Sequence, residues 1–254
     1  MIRPYILAEC NWRQIKANKP ELVVLPWGAC EAHNYHLPYA TDIIEADHIA
    51  HESARKAYDK GGKVVVLPTI PFGVNTGQTD IRLDINIYPS TQHLILHDII
   101  EVLNRQGIDK LLVLNSHGGN NFKTMLRELG VKFPNMLLTM CDWFRALDKS
   151  KYFELRGDHA DEMETSLIMY MRPELVDRLE EAGDGGEKKH KIEAIREGWA
   201  WAERQWSSVT ADTGIGDPSK STAEKGEKFF NDVTDKLGKL MLDLCHIDKS
   251  RMYE

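Results

Sequence analysis

Two short stretches, far apart in the chain, place imidazole, carboxylate and amide groups directly after apolar runs. They are Glu31-Ala32-His33-Asn34-Tyr35-His36-Leu37-Pro38, running on to Asp42, and Asn115-Ser116-His117-Gly118-Gly119-Asn120. A hard or borderline dication is held by carboxylate oxygens and neutral imidazoles, and a catalytic site leaves one coordination position for water. Glu31, His33, Asp42 and His117 supply such a set. Taken singly, Glu31 and His33 read as solvated loop residues and His117 as a residue near a helix start. Their joint occurrence is what points to a metal. His36 suits a supporting role that orients a ligand, and His48, on a helical pattern, stays outside the set.

A third stretch, Asp158-His159-Ala160-Asp161-Glu162-Met163-Glu164-Thr165-Ser166, opens a helix that continues through Leu167, Ile168 and Met169. Acidic residues in a first turn complement the helix dipole, which explains Glu162 as readily as metal binding does. Glu164 is the better ligand candidate. His159 stands where an imidazole beside a metal-bound water takes or gives a proton near neutral pH, although by spacing alone a surface histidine fits better. Cys30 adjoins Glu31, whose charge opposes thiolate formation, and has no cation beside it, so a nucleophilic role is disfavoured.

These groups need elements to position them. Apolar runs predict strands over 21–26, 63–68, 110–115 and 135–141, and recurrence at three to four residues predicts helices over 43–60, 91–106, 120–129, 161–172, 187–205 and 222–245. Strands alternating with helices imply a mainly parallel sheet covered on both faces, with chemistry beyond the carboxyl ends of the strands. The segment 73–80 reads as a loop and 182–186 as a flexible connection. Trp27 and Trp143 each follow a strand, where they either wall a pocket or pack in the core.

Composition sets the outer limits. A chain of 254 residues with 42% hydrophobic and 28% charged residues suits one large α/β domain spanning 1–254. No apolar run approaches the roughly 18 to 20 residues needed to cross a bilayer, so a membrane partner is not expected. The start of the chain lacks the pattern of a signal peptide, which favours a cytoplasmic location. The net charge of -7 opposes nonspecific nucleic-acid binding. The four cysteines, without a C-x-x-C pair, are expected to be reduced and mostly buried. Neither G-x-G-x-x-G nor a phosphate-binding loop occurs. A small-molecule substrate is the expected partner.

The chain resembles the creatininase (creatinine amidohydrolase) family. The resemblance rests on Leu25-Pro26-Trp27-Gly28-Ala29-Cys30-Glu31-Ala32-His33, on His36-Leu37-Pro38 with Asp42, on the Asn115–Asn120 stretch and on His159-Ala160-Asp161-Glu162-Met163-Glu164-Thr165-Ser166. Gly216-Asp217-Pro218-Ser219 and Ala223-Glu224-Lys225-Gly226 add to it less specifically. It implies a three-layer α/β/α sandwich and a dinuclear site. Glu31, Asp42 and His117 would hold one ion, His33, Asp42 and a further carboxylate the other, with Asp42 as the bridge. Creatininase itself has a metal-binding glutamate two residues after the histidine that His117 matches. This chain has Gly119 there, so Glu164 is taken as the last carboxylate. Asn34 and Asp161 stand where the wider family usually has glycine, and the loop 79–84 has no recognised counterpart. The ligand set suits zinc, manganese and iron, with zinc taken first.

Such a site implies a metal-dependent amidohydrolase. An activated water would attack a carbonyl carbon, and His159, with Glu164 beside it, would serve the proton transfers to the leaving group. The resemblance implies a C–N bond of a small cyclic amide or formamide, alternatively a C–C bond of a cyclic ketone, and a homo-oligomer, a ring-like hexamer. A binding protein without turnover is the reading from another class.

Overall fold

The computed structural model describes residues 2–254. Strands β1 (Leu22–Trp27), β2 (Val64–Val66), β3 (Lys110–Asn115) and β4 (Leu137–Asp142) form one sheet in the order β2-β1-β3-β4. All pairings are parallel, with Val24 opposite both Val66 and Leu112, and Leu112 opposite Thr139. β1 and β3 are buried along their whole length, as central strands of a covered parallel sheet must be. Pro26 lies inside β1 but past the end of β2. Its carbonyl is still used, accepting from the Ile70 amide at 3.0 Å.

The two-residue period of the strands divides the core. Leu22, Val24, Leu112 and Leu114 face one side and pack with α2 (Thr41–Tyr58), α5 (Glu162–Met171) and α8 (Ala223–His246). Val23, Leu25, Trp27, Leu111 and Val113 face the other and pack with α3 (Pro89–Arg105) and α4 (Phe122–Lys132). The result is the expected three-layer sandwich. The helices begin where local chemistry permits. Pro89 opens α3, Thr222 Oγ1 accepts from the Lys225 amide at the start of α8, and Asp161 Oδ1 accepts from the Met163 and Glu164 amides at the start of α5. Small residues of α2, among them Ala50, Ser53, Ala54 and Ala57, let α8 approach closely. A Cβ on Gly238 would lie 3.1 Å from the Ser53 carbonyl.

The largest departure from expectation is the segment 187–205. It is not one helix: only Glu193–Arg196 (α6) is helical there, and a second turn, α7, runs from Trp206 to Val209. Gly198, at φ +82°, ends α6, and Ile192, Trp199 and Trp201 stay exposed, so the segment has no apolar face to bury. An unexpected short helix, α1 (Trp12–Ala17), is held by a capping box between Asn11 and Gln14. The 182–186 connection is bound in place: the Gly183 amide donates to Asn34 Oδ1 and that of Gly185 to Asp212 Oδ2. The four cysteines are free, but only Cys245 is buried, because the other three lie on loops and the edge strand. No helix among the described residues is long and apolar enough to cross a membrane.

Phe229 is fully buried against the rings of Trp143, Tyr152 and Phe153. Phe229→Ala should therefore lower the unfolding free energy by about 4 kcal/mol, read as a lower urea midpoint.

Candidate metal centre

The three chemistry-bearing stretches converge beyond the carboxyl ends of β1 and β3. Glu31 and His33 follow β1, Asp42 lies in the first turn of α2, His117 follows β3, and His159 and Glu164 flank the start of α5. All six are buried. Ligand-capable atoms of Glu31, Asp42 and His117 lie within 4.8 Å of one another, as do those of His33, Asp42 and Glu164, and those of Glu31, His33 and His159. Asp42 belongs to both of the first two groups. Glu162 does not join them. Its carboxylate accepts from the Glu154 and Leu155 amides and from Lys225 Nζ, a structural role at the far side of α5.

Each of the three imidazoles is tethered through one ring nitrogen to a backbone carbonyl. His33 Nδ1 donates to Glu31 O at 3.1 Å, His117 Nε2 to Val74 O at 3.0 Å, and His159 Nε2 to Ala32 O at 2.8 Å. A carbonyl can only accept, so these nitrogens carry the protons and the opposite ones are turned toward the carboxylates. His33 Nε2 lies 3.1 Å from Asp42 Oδ1; His117 Nδ1 lies 2.8 Å from Glu31 and 3.0 Å from Asp42 Oδ2; His159 Nδ1 lies 3.8 Å from Glu31. Such tethering sets the tautomer and ring angle that a metal-binding histidine needs.

The turn carrying His117 is fixed by amides. Asn115 Oδ1 accepts from the His117 amide and from Asn120 Nδ2, and Asn120 Oδ1 accepts from Val74 N and Gln92 Nε2. Gly119 has no room for a side chain: a Cβ would collide with Val74 O and His117 Nε2, the two partners of the tether. A glutamate is therefore sterically excluded at that position here. Gly28 is needed too, since a Cβ there would lie 2.9 Å from the Asp42 backbone carbonyl. Asn34 adopts φ +56°, a left-handed conformation that asparagine tolerates better than most residues and that glycine takes freely.

Among the described residues, no lysine or arginine contacts Glu31, Asp42 or Glu164, so the imidazoles carry the compensating charge. Burial works against every charge in the cluster. Even so, His117, His159 and His33 hold Glu31 well below the usual carboxylate range. Burial would lower His33 and His117, but Asp42 and Glu164 raise the former to about 10, and Glu31 and Asp42 carry the latter well above its ordinary value. Burial and Asp161 push Glu164 up to about 8 against the pull of His33. His159 is lowered by burial and by His33, which keeps it neutral. Cys30 is pushed up by burial and by Asp84 and Glu31, so it is no nucleophile at neutral pH.

Gln78, Trp206 and Glu45 bear on the site but carry no sequence signal, whereas the sequence singles out His36, Trp27 and Trp143. Gln78, inside the predicted loop 73–80, donates through Nε2 to Glu31 Oε2. Trp206 packs edge-on to His159 at 4.8 Å between ring centroids. Glu45, one turn after Asp42, is fully buried with neither carboxylate oxygen hydrogen-bonded, and burial with Glu164 and Asp42 nearby pushes its carboxyl well above the ordinary range. His36 donates to or accepts from Thr165 Oγ1 at 2.8 Å, next to Glu164 in sequence, and stays neutral because burial and His33 lower it to about 4. Trp27 and Trp143 are core residues. Trp143 still bears on the site, donating to Ser116 Oγ beside His117.

The model of the creatinine amidohydrolase (creatininase) family matches residues 8–241. The chain belongs to the creatininase family. A crystal structure of a Bacteroides fragilis NCTC 9343 protein assigned to the creatinine amidohydrolases is 42% identical, with a TM-score of 0.93 and all of both chains covered. A mutant creatininase of the Zn-Zn type superposes at a TM-score of 0.78 over 94% of this chain and 97% of its own, at 18% identity, which is likeness of fold. The mycofactocin precursor peptide peptidase of Mycobacterium ulcerans is 24% identical over 84% of this chain and 81% of its own length. As a creatininase-family amidohydrolase, the protein carries a buried His/Glu/Asp cluster suited to metal.

Two outcomes are expected from this geometry. Loading with a dication at pH 7 should release about three protons per chain, from His33, His117 and the Glu164 carboxyl, because a ligand imidazole must be neutral and a ligand carboxylate ionised; calorimetry in buffers of different ionisation enthalpy reads this, and metal affinity should fall as pH falls. Gly119→Ala should break the His117 tether and reduce bound metal to about one ion per chain or less, measured by elemental analysis.

Proposed function

We propose that the protein is a dinuclear amidohydrolase that cleaves a C–N bond of a small cyclic amide or formamide. Glu31, Asp42 and His117 would hold one dication, and His33, Asp42 and Glu164 the second, with zinc the metal of first choice. The observation that carries this reading is the tethering of His33, His117 and His159 to backbone carbonyls, which turns the opposite ring nitrogens toward three buried carboxyl groups. Dications held there would act as Lewis acids toward a substrate carbonyl and would acidify water.

The residues of the chain do the remaining work. Asp42, fixed at the start of α2, is common to both ligand groups. Gln78 steadies Glu31 from the loop side, and the Ala160 amide donates to Glu164 Oε2 at 2.5 Å. His159, held neutral with its proton on Nε2, offers Nδ1 as a base; it would take a proton there and return it to the leaving nitrogen. Trp206 against its ring keeps that nitrogen directed at the cluster and limits water on the outer side.

Elemental analysis of wild type and variants, paired with hydrolysis of a panel of lactams and formamides, tests the assignment. Wild type should bind about two dications per chain and Asp42→Ala neither. His159→Gln should keep the metal while turnover drops about a hundredfold or more. Metal lost together with His159 would instead make that imidazole a ligand of the Glu31–His33–His159 group. A metal-free wild type under replete conditions would overturn the function.

A further inference from the structure

The metal centre opens into a cavity of about 1220 Å³, far more than a five-membered ring fills. One wall is the irregular segment that contains α6 and α7. The charge of this wall is opposite to that of the protein. Lys188, Lys189, Arg196 and Arg204 stand on it against Glu187 and Glu203, and Arg145, Lys149 and Asp158 line the cavity from other elements, in a chain of net charge -7.

Most of these cations are already engaged. Arg204 pairs with Asp158 at 2.9 Å and Lys189 with Glu187, Arg196 donates to the His190 and Lys191 carbonyls, and Arg145 lies 3.7 Å from Asp142. Lys188 and Lys149 are not engaged, among the described residues; Lys188 is exposed, and Lys149 is the shielded one. It is half-buried, lines the cavity together with Glu164 and His159, and has no hydrogen-bond or ion-pair partner for its ammonium among the described residues. The adjacent carboxylate, Asp148, is taken by the Ser150 amide and hydroxyl. The Lys149 charge favours the ionised forms of the Glu45, Asp161 and Glu164 carboxyls against their burial. A half-buried ammonium without a partner forms a strong charge-assisted hydrogen bond when an anion arrives.

We propose that this cavity receives a substrate carrying an anionic group, a carboxylate or a phosphate, in addition to its hydrolysable amide, and that the Lys149 ammonium meets that group. The inference rests on the amidohydrolase reading and narrows its substrate class. It makes Lys149 a specificity residue that distinguishes anionic from neutral amides of the same shape. A purely structural role, balancing Glu45 and Asp161, would affect both kinds of ligand equally.

The test is equilibrium binding by calorimetry to dication-loaded full-length protein, with metal content measured in each sample. Two matched pairs are used: 2-pyrrolidone with 5-oxoproline, which adds a carboxylate, and N-formylethanolamine with its O-phosphate. Wild type should bind the anionic member of at least one pair about tenfold more tightly than the neutral one. A preference in the first pair alone identifies a carboxylate and in the second alone a phosphate. Lys149→Met should bring that ratio close to one with metal content unchanged, and Lys149→Arg should restore most of it. Equal binding within both pairs, no detectable binding of either anionic probe, or a preference that survives in Lys149→Met would overturn the proposal. The last result would assign the anion to the metal ions themselves. If no dication binds, the amidohydrolase reading fails separately, and the same four titrations on the metal-free protein still decide the role of Lys149.

Discussion

Three carboxyl groups, those of Glu31, Asp42 and Glu164, are buried together without a lysine or arginine in contact, among the described residues, and burial pushes Glu164 up to about 8 while Glu31 stays ionised. Removing such charges from water costs several kcal/mol each unless something of opposite sign replaces the lost hydration. Here the replacement comes from the His33 and His117 imidazoles, which Asp42, Glu164 and Glu31 hold cationic and which would become neutral ligands if dications bound. The same cluster can thus be charge-balanced in two ways, by protons or by dications.

The rest of the architecture serves to hold these groups still. Two apolar layers, one on each face of a four-stranded parallel sheet, supply the stability that the buried charges withdraw. The ends of β1 and β3 deliver Glu31 and His117 to one place, and the first turns of α2 and α5 deliver Asp42 and Glu164. Between them run short polar ties: Asn115 and Asn120 around His117, Gln78 on Glu31, and three backbone carbonyls on the three imidazoles. Glycines occur where these segments touch. At Gly28 and Gly119 even a methyl group would displace a ligand-bearing segment.

Above this rigid base the cavity wall is of another kind. The segment around α6 and α7 is held by scattered contacts, such as the Lys188 amide on Val209 O and Arg204 on Asp158, and it exposes Trp199 and Trp201. It carries most of the cavity's cationic charge but none of the six cluster residues. The six cluster residues thus stand on sheet ends and helix starts, while the irregular segment bears most of the cavity's cations and touches the cluster through Trp206 against His159.

The sequence by itself determined the elements whose apolar pattern is strong and local. The four strands, α2, α3, α4, α5 and α8 lie within a few residues of their expected bounds, because period-two and period-3.6 burial are written in neighbouring positions. The polar residues after the strands were legible for the same reason, since open α/β sheets place their polar chemistry at strand ends. It misread 187–205, where charged and apolar residues alternate at helical spacing but no partner surface exists to bury them. Only the tertiary structure decided that Glu164 and not Glu162 joins the cluster, because the two differ by which side of α5 they face, and Lys225, 63 residues further on, claims Glu162. It alone brought Gln78 to Glu31, Trp206 to His159 and Lys149 to the cavity. Those contacts join residues far apart in the chain, and their only physical cause is the packing that brings separate loops over one sheet edge.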